Sequence, residues 1–319
     1  MIPHRLLREN TKSALNKLTI IGGVSLDVIL PKVPSLPTWP DHSEFTKRNL
    51  VHLEHPPILT IGGNGGNSAF VAARCGARVT LYTALGDDPQ GELARGWLEK
   101  AGCRVVNTAH GSTPLNVTAA SALQQRATFF YSGSPLHVPT RGLTKGGYLL
   151  VCGYPHPPLE EMVAGLQLAQ SGGTFTSLDA GPIVGRPWSR AILRRLLDHL
   201  DLFIVNEHEL LTIMQTEDCA DAIRRLRKLF AGHVVIKRGG EGALWLAVGQ
   251  NEVTPISAPA VTVVNTVGAG DSFNGAMLAA LAAKLSFPEA MAKACQTASR
   301  VVSSPKGVAG LKARKFTRS

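Results

Sequence analysis

Residues 265–276 read Asn-Thr-Val-Gly-Ala-Gly-Asp-Ser-Phe-Asn-Gly-Ala. The small turn Gly268, Ala269 and Gly270 opens a strongly helical run. Its backbone N–H groups therefore stand at a helix N-terminus, with about half a positive charge behind them. Small side chains let an anion come close to the main chain. Asp271 follows in the first helical turn. A carboxylate there is stabilised by the helix and can serve simply as a cap. Beside an anion hole it is also what phosphoryl transfer to a hydroxyl requires: a base for the alcohol's proton, next to amides that hold the transferring charge. On this segment alone the two readings are balanced.

A second group of segments tips the balance. Residues 61–69 read Ile-Gly-Gly-Asn-Gly-Gly-Asn-Ser-Ala, and 72–76 and 86–91 follow as Ala-Ala-Arg-Cys-Gly and Gly-Asp-Asp-Pro-Gln-Gly. No Gly-x-x-x-x-Gly-Lys-Ser/Thr phosphate loop occurs. A dinucleotide-binding Gly-x-Gly-x-x-Gly starting at Gly63 fails, because Ser68 stands where the third glycine is needed. In type and order, the two glycine-rich segments resemble both signatures of the PfkB family of carbohydrate kinases, in the ribokinase-like superfamily. The resemblance spans residues 18–310.

That resemblance implies a set of roles. Asp271 corresponds to the family's catalytic base, and Gly268, Ala269 and Gly270 to its anion hole. Asp27, Gly63 and Asn67 correspond to the residues that hold the acceptor sugar, with Ser25 and Asn64 beside them. A carboxylate accepting two O–H groups would orient vicinal hydroxyls. Asn206 and Glu209 match an Asn-x-x-Glu motif that positions Mg²⁺ near ATP, largely through water, with Glu207 as the competing carboxylate. Lys237, Arg238, Gly239 and Gly242 match the nucleotide strand and loop, although two cations at a strand end are also commonly just solvated. Cys295 falls in a helix that flanks the adenine in the family. Two departures matter. Asn265 replaces the usual aspartate, which puts activation by a monovalent cation such as potassium in doubt, and Asn64 stands where several members carry lysine, which favours an unphosphorylated acceptor.

These residues need a scaffold, and the composition provides one. The 319 residues are 44% apolar and 18% charged, enough to bury a large core and to exclude a predominantly disordered chain. No apolar run approaches the ~18 residues of a membrane span. The net charge of +10 suits an anionic partner without choosing between nucleic acid and a phosphorylated small molecule, and the basic runs at 224–228 and 312–318 read as solvated faces. A specific nucleic-acid partner rests on charge alone and is not expected. Five scattered cysteines without a Cys-x-x-Cys point to a reducing, cytoplasmic location. The ten histidines form no metal motif; His52 and His55 read as structural or surface residues, and His156 follows a strand and could approach the substrate.

Along the chain, residues 1–17 read as a loose N-terminal extension, with a transit peptide as the alternative. Residues 18–24 read as a first buried strand. Thereafter strands and helices alternate: helices at 64–75, 91–101, 159–171, 189–199, 207–214, 219–230, 269–284 and 288–302, and strands at 79–84, 148–152, 174–179, 202–205 and 233–237. Alternation of this kind predicts an α/β fold with a doubly wound, mainly parallel sheet. A proline-rich stretch at 27–61 and a hairpin across 113–135 break the rhythm and predict a small β-sheet lid beside the strand ends. Residues 311–319 read as a basic tail. The function expected is ATP-dependent phosphorylation of a primary alcohol on a sugar or sugar-like acceptor, by a homodimer joined through the lid. A nucleoside kinase, or a catalytically silent binding protein on the same fold, is the alternative.

Overall fold

The computed structural model describes residues 16–34, 51–121, 126–143, 146–153, 157–181 and 188–317. Expectations for residues 1–15, for the centre of the proline-rich stretch, for the hairpin turn at 122–125 and for His156 lie outside these residues. The strands are β1 (Lys17–Ile21), β2 (Ser25–Val33), β3 (Ile58–Gly62), β4 (Arg78–Thr83), β5 (Arg104–Asn107), β6 (Leu115–Ser121), β7 (Arg126–Tyr131), β8 (Tyr148–Cys152), β9 (Phe175–Asp179), β10 (Leu202–Asn206), β11 (His233–Lys237), β12 (Ala243–Leu246) and β13 (Val253–Ile256). The helices are α1 (Asn64–Arg74), α2 (Pro89–Ala101), α3 (Leu159–Ser171), α4 (Arg190–Leu197), α5 (Glu207–Met214), α6 (Cys219–Arg227), α7 (Ala269–Ala282) and α8 (Phe287–Val302).

A nine-stranded sheet runs β13-β12-β11-β10-β9-β8-β1-β4-β5, parallel except for the β11-β12-β13 meander. Its central strands β1, β8, β9, β10 and β11 are buried on both faces, as a covered parallel sheet demands. Leu18 and Ile20 of β1 and Leu202 and Ile204 of β10 pack into one core with α1, α2, α7 and α8. Ile21, Phe203 and Val205 point the other way, into a second core with α3 to α6. The doubly wound reading holds. Successive strands are added to opposite sides of β1, so the order reverses between β1 and β8, where sheets of this kind leave a crevice at the carboxyl ends. Among the described residues no helix is long and apolar enough to cross a membrane.

The second sheet is the expected lid, with order β3-β2-β6-β7. Its central pair, β2 and β6, is parallel, with antiparallel strands on either side. One boundary differs from expectation. The strand read as 18–24 ends at Ile21, and after Gly22 to Val24 the chain enters the lid at Ser25, so Ser25 and Asp27 both lie on β2.

The C-terminal segment exposes the basic side chains of Lys312, Arg314 and Lys315, as read, but its backbone is anchored. Rather than trailing in solvent, residues 311–317 run past the end of α1, where helix carbonyls lack intrahelical partners. Arg314 N donates to Arg74 O at 2.8 Å and Phe316 N to Cys75 O at 3.0 Å, while Leu311 and Phe316 pack on the core. Deleting 312–319 is therefore expected to cost about 1–2 kcal/mol, seen as a Tm lower by several degrees. An unchanged Tm would return the segment to a solvated tail.

Candidate active site

Two cavities meet above the crevice. The smaller, about 280 Å³, opens between the lid and the N-terminal turns of α1 and α7. The larger, about 550 Å³, lies over the carboxyl ends of β9, β10 and β11, with residues 258–263 and α8 as its outer wall. Asn64 and Asp271 line both.

In the smaller cavity Asp27 is buried on β2, and Ser25 Oγ donates to its Oδ1 at 2.6 Å. Gly62 makes room for this carboxylate: a Cβ there would lie 2.0 Å from Asp27 Oδ1. Across the β2–β6 ladder Asp27 faces Asn116. Burial raises the Asp27 carboxyl above its ordinary value, against the hydrogen bonds from Ser25 and Asn116.

In the larger cavity Asp179, at the end of β9, accepts from Lys237 Nζ at 2.9 Å through Oδ1 and from the buried amide of Asn274 at 2.9 Å through Oδ2. The Lys237 side chain is only 13% exposed and that of Asp179 only 4%. Burial alone would lower the Lys237 ammonium, but Asp179, Glu209 and Asp271 together hold it above its ordinary value. Glu209 belongs to a capping box at the start of α5: Asn206 Oδ1 accepts from Glu209 N at 2.7 Å, and Glu209 Oε2 accepts from Asn206 N at 2.8 Å. Burial, reinforced by Asp179 and Asp271, pushes the Glu209 carboxyl up to about 7.

Asp271 stands in the first turn of α7, where no side chain caps the helix. The turn needs Gly268, whose φ is +75° and where a Cβ would sit 2.8 Å from Val308 Cγ2 and 3.1 Å from Asn67 Nδ2. Asn67 Nδ2 donates to Asp271 Oδ2 at 2.9 Å. Burial pushes the Asp271 carboxyl up to about 6 against that hydrogen bond, with Asp179 and Asp27 adding to the rise and Lys237 opposing it. A carboxylate poised near 6, between two cavities and beside helix N-terminal amides, has the setting of a general base.

Residues 38–314 match the pfkB family of carbohydrate kinases. The chain belongs to that family. Ribokinase from Haemophilus influenzae is 24% identical, over 86% of this chain and 88% of that protein. A nucleoside kinase from Methanothermobacter thermautotrophicus is 28% identical, over 69% and 71%. Among solved structures, ribokinase from Cryptococcus neoformans in complex with ADP has a TM-score of 0.76 at 23% identity, covering 93% of this chain and 97% of that one. Arabidopsis thaliana ribokinase with ribose and ATP has a TM-score of 0.75 at 21% identity, covering 94% and 96%.

The fold gathers nearly all the residues singled out for this kinase from its sequence. Ser25, Asp27, Gly63, Asn64 and Asn67 line the smaller cavity with Gly268. Asn206, Glu209, Lys237, Gly239, Gly242 and Cys295 line the larger with Ala269 and Gly270. Of the three turn residues, Ala269 already spends its N–H on Thr266 O at 3.3 Å. Arg238 is not gathered in. Its Nε faces Glu207 Oε2 at 3.2 Å and its other arm Glu241, outside the cavity wall. Neighbouring residues at a strand end point to opposite sides, and Lys237 takes the cavity side. Asn265 uses its Oδ1 to accept from Val267 N at 3.0 Å, shaping the turn into α7. His52 and His55 are exposed, as read. Three site residues escaped the sequence reading: Asp179, Asn274 and Asn116. For Asp179 a signal existed, an aspartate closing an apolar strand at the end of a parallel sheet where ligands bind.

Proposed function

We propose that this kinase transfers the γ-phosphoryl group of ATP to a hydroxymethyl group of a sugar or sugar-like acceptor. The observation that carries the reading is the placement of Asp271 on the wall shared by the two cavities. The acceptor occupies the smaller cavity and the nucleotide the larger, so the base stands where the two must meet.

In this reading Asn67 holds Asp271 Oδ2 and leaves Oδ1 to take the proton of the acceptor hydroxyl. The N-terminal turn of α7 at Gly268 and Gly270 and the Lys237 ammonium face the charge spreading over the transferring group. Asp27 orients the acceptor from the lid, which closes over it to exclude water. Among the described residues the carboxylates of Asp179, Glu209 and Asp271 share the one ammonium of Lys237, and that surplus of negative charge fits a divalent cation. Among the described residues no three His, Cys, Asp or Glu side chains converge on one point, which suits Mg²⁺ held through water and phosphates, with Asn206 and Glu209 as its protein side. Bound there, Mg²⁺ supplies neutralisation of phosphoryl charge.

The reading extends to a homodimer joined through the lid, supported by Leu59, Phe129 and Tyr131, 49%, 56% and 54% exposed on the outer strands β3 and β7. Light scattering of the pure protein decides it. Five free cysteines, four of them buried, fit a cytoplasmic location.

Acceptor-dependent ADP release, with a primary phosphate ester as the second product, tests the function. Its pH dependence tests the base. Only ionised Asp271 accepts the proton, so kcat/KM for the acceptor is expected to be level above about 6 and to fall about tenfold per pH unit below it. A profile flat through that region removes Asp271 from the proton transfer.

A further inference from the structure

The wall of the smaller cavity is unbalanced in its hydrogen-bonding groups. It presents the carboxylates of Asp27 and Asp271 and the amides of Asn64, Asn67 and Asn116, and no lysine, arginine or histidine among the described residues. The one hydroxyl there, Ser25, is given to Asp27. Three buried amide atoms have no partner among the described residues: Asn67 Oδ1, Asn116 Oδ1 and Asn64 Nδ2. Two of these are acceptors, and both carboxylates are acceptors when ionised. Asn67 and Asn64 are held in this sense by their other ends, since Asn67 Nδ2 is committed to Asp271 and Asn64 Oδ1 accepts from Gly65 N at 2.9 Å.

An acceptor-rich wall calls for a donor-rich ligand. Hydroxyl groups bring a proton to each unpaired oxygen. A phosphate or a carboxylate brings only acceptor oxygens and a charge of the same sign as Asp27 and Asp271, with no cation among the described residues of the wall to pair it. The positive helix ends do not relieve this: at the start of α1 the N–H groups of Gly65, Gly66 and Asn67 are already given to Asn64 Oδ1, Gly23 O and Gly63 O, and the start of α7 lies at Asp271, where the transferring group must pass.

We infer that the acceptor is a neutral polyhydroxylated molecule (a sugar, polyol or nucleoside bearing neither phosphate nor carboxylate) and that Asn116 is a specificity-determining residue for it. The inference rests on the kinase reading above. Asn116 sits on the lid strand β6 opposite Asp27, and its hydrogen bond to that carboxylate ties the two together. Its free carbonyl oxygen reads a hydroxyl that the Asp27 carboxylate alone would not distinguish from any other donor.

The test uses the full chain with Mg²⁺-ATP and acceptors in matched pairs: D-fructose with fructose 6-phosphate and D-glucose with D-gluconate, alongside D-ribose and adenosine. The neutral compounds are expected to exceed the anionic ones by at least about a hundredfold in kcat/KM. In Asn116→Leu the KM for the best neutral acceptor is expected to rise roughly tenfold or more, with the KM for ATP unmoved. A phosphorylated or carboxylated acceptor that equals or beats its neutral partner overturns the assigned class while leaving the kinase intact. An unchanged acceptor KM in folded Asn116→Leu overturns the role of Asn116. Should that variant fold poorly, the wild-type pairs still decide the class. No acceptor-dependent ADP release from any compound overturns the kinase reading and this inference with it.

Discussion

Asp271→Asn is expected to lower kcat by roughly a hundred- to ten-thousandfold, the usual loss when a positioned base is removed, with little change in the KM for ATP. The variant keeps the shape of the side chain and can still accept from Asn67, so the turn into α7 is not disturbed. Stability moves the other way. The folded pKa of about 6 lies above the ordinary 3.8, so the ionised carboxylate is disfavoured by folding. Its cost is fully present above about 6 and is relieved as pH falls through that value. A neutral amide never incurs it, so at neutral pH the Tm of Asp271→Asn is expected to equal or exceed that of the parent. A residue kept only as a helix cap gives the reverse pattern, about 1 kcal/mol of lost stability and unchanged turnover. Steady-state kinetics and a thermal melt on the same preparation separate the two. A kcat within a few fold of the parent would end the assignment of Asp271 as base.

The parts of this molecule that were legible in its sequence are those whose physics is local. Helices α3 and α5 and strand β11 fall on the residues their periodicity predicts, because an amphipathic repeat or a short β-branched run is visible within one element. The two glycine-rich turns were legible for the same reason: a glycine that must take positive φ, or admit a neighbour's carboxylate, announces itself by position. What stayed hidden depends on strands distant in sequence. Asp179 acquires its meaning only when the parallel ladder brings β9 within reach of Lys237 on β11, two strands away, and Asn274 only when α7 lies over both. Asn116 looked like one polar residue in an alternating hairpin until the β2–β6 register set it opposite Asp27. In the C-terminal run the charges that the sequence displays are exposed, while its two backbone hydrogen bonds at the end of α1 could not be read from it.

Lys237→Met is expected to be the most destabilising single change at the site. The ammonium is nearly out of water, 2.9 Å from Asp179 Oδ1, and it is the cation that Asp179, Glu209 and Asp271 share. Methionine fills the space of the stem but leaves three carboxylates facing one another, and removing one partner of a buried ion pair costs about 3–5 kcal/mol. The sign of the pH dependence marks the cause. Lys237 lowers the carboxyls of Glu209, near 7, and Asp271, near 6, so its loss raises both further. Carboxylates with raised folded pKa values cost stability while ionised, and the cost shrinks as they take protons. The variant should therefore gain stability relative to the parent as pH falls from neutral through this range. In kinetics the acid limb of kcat/KM should shift above 6, because the base now needs a higher pH to ionise. Asp179→Asn gives the opposing control: it removes a negative neighbour that raises Asp271, so the limb should move below 6. Melts at two pH values and the two kinetic profiles suffice. If both variants leave the limb where the parent has it, the buried lysine and its carboxylates are a structural ion pair, and the poise of Asp271 comes from burial alone.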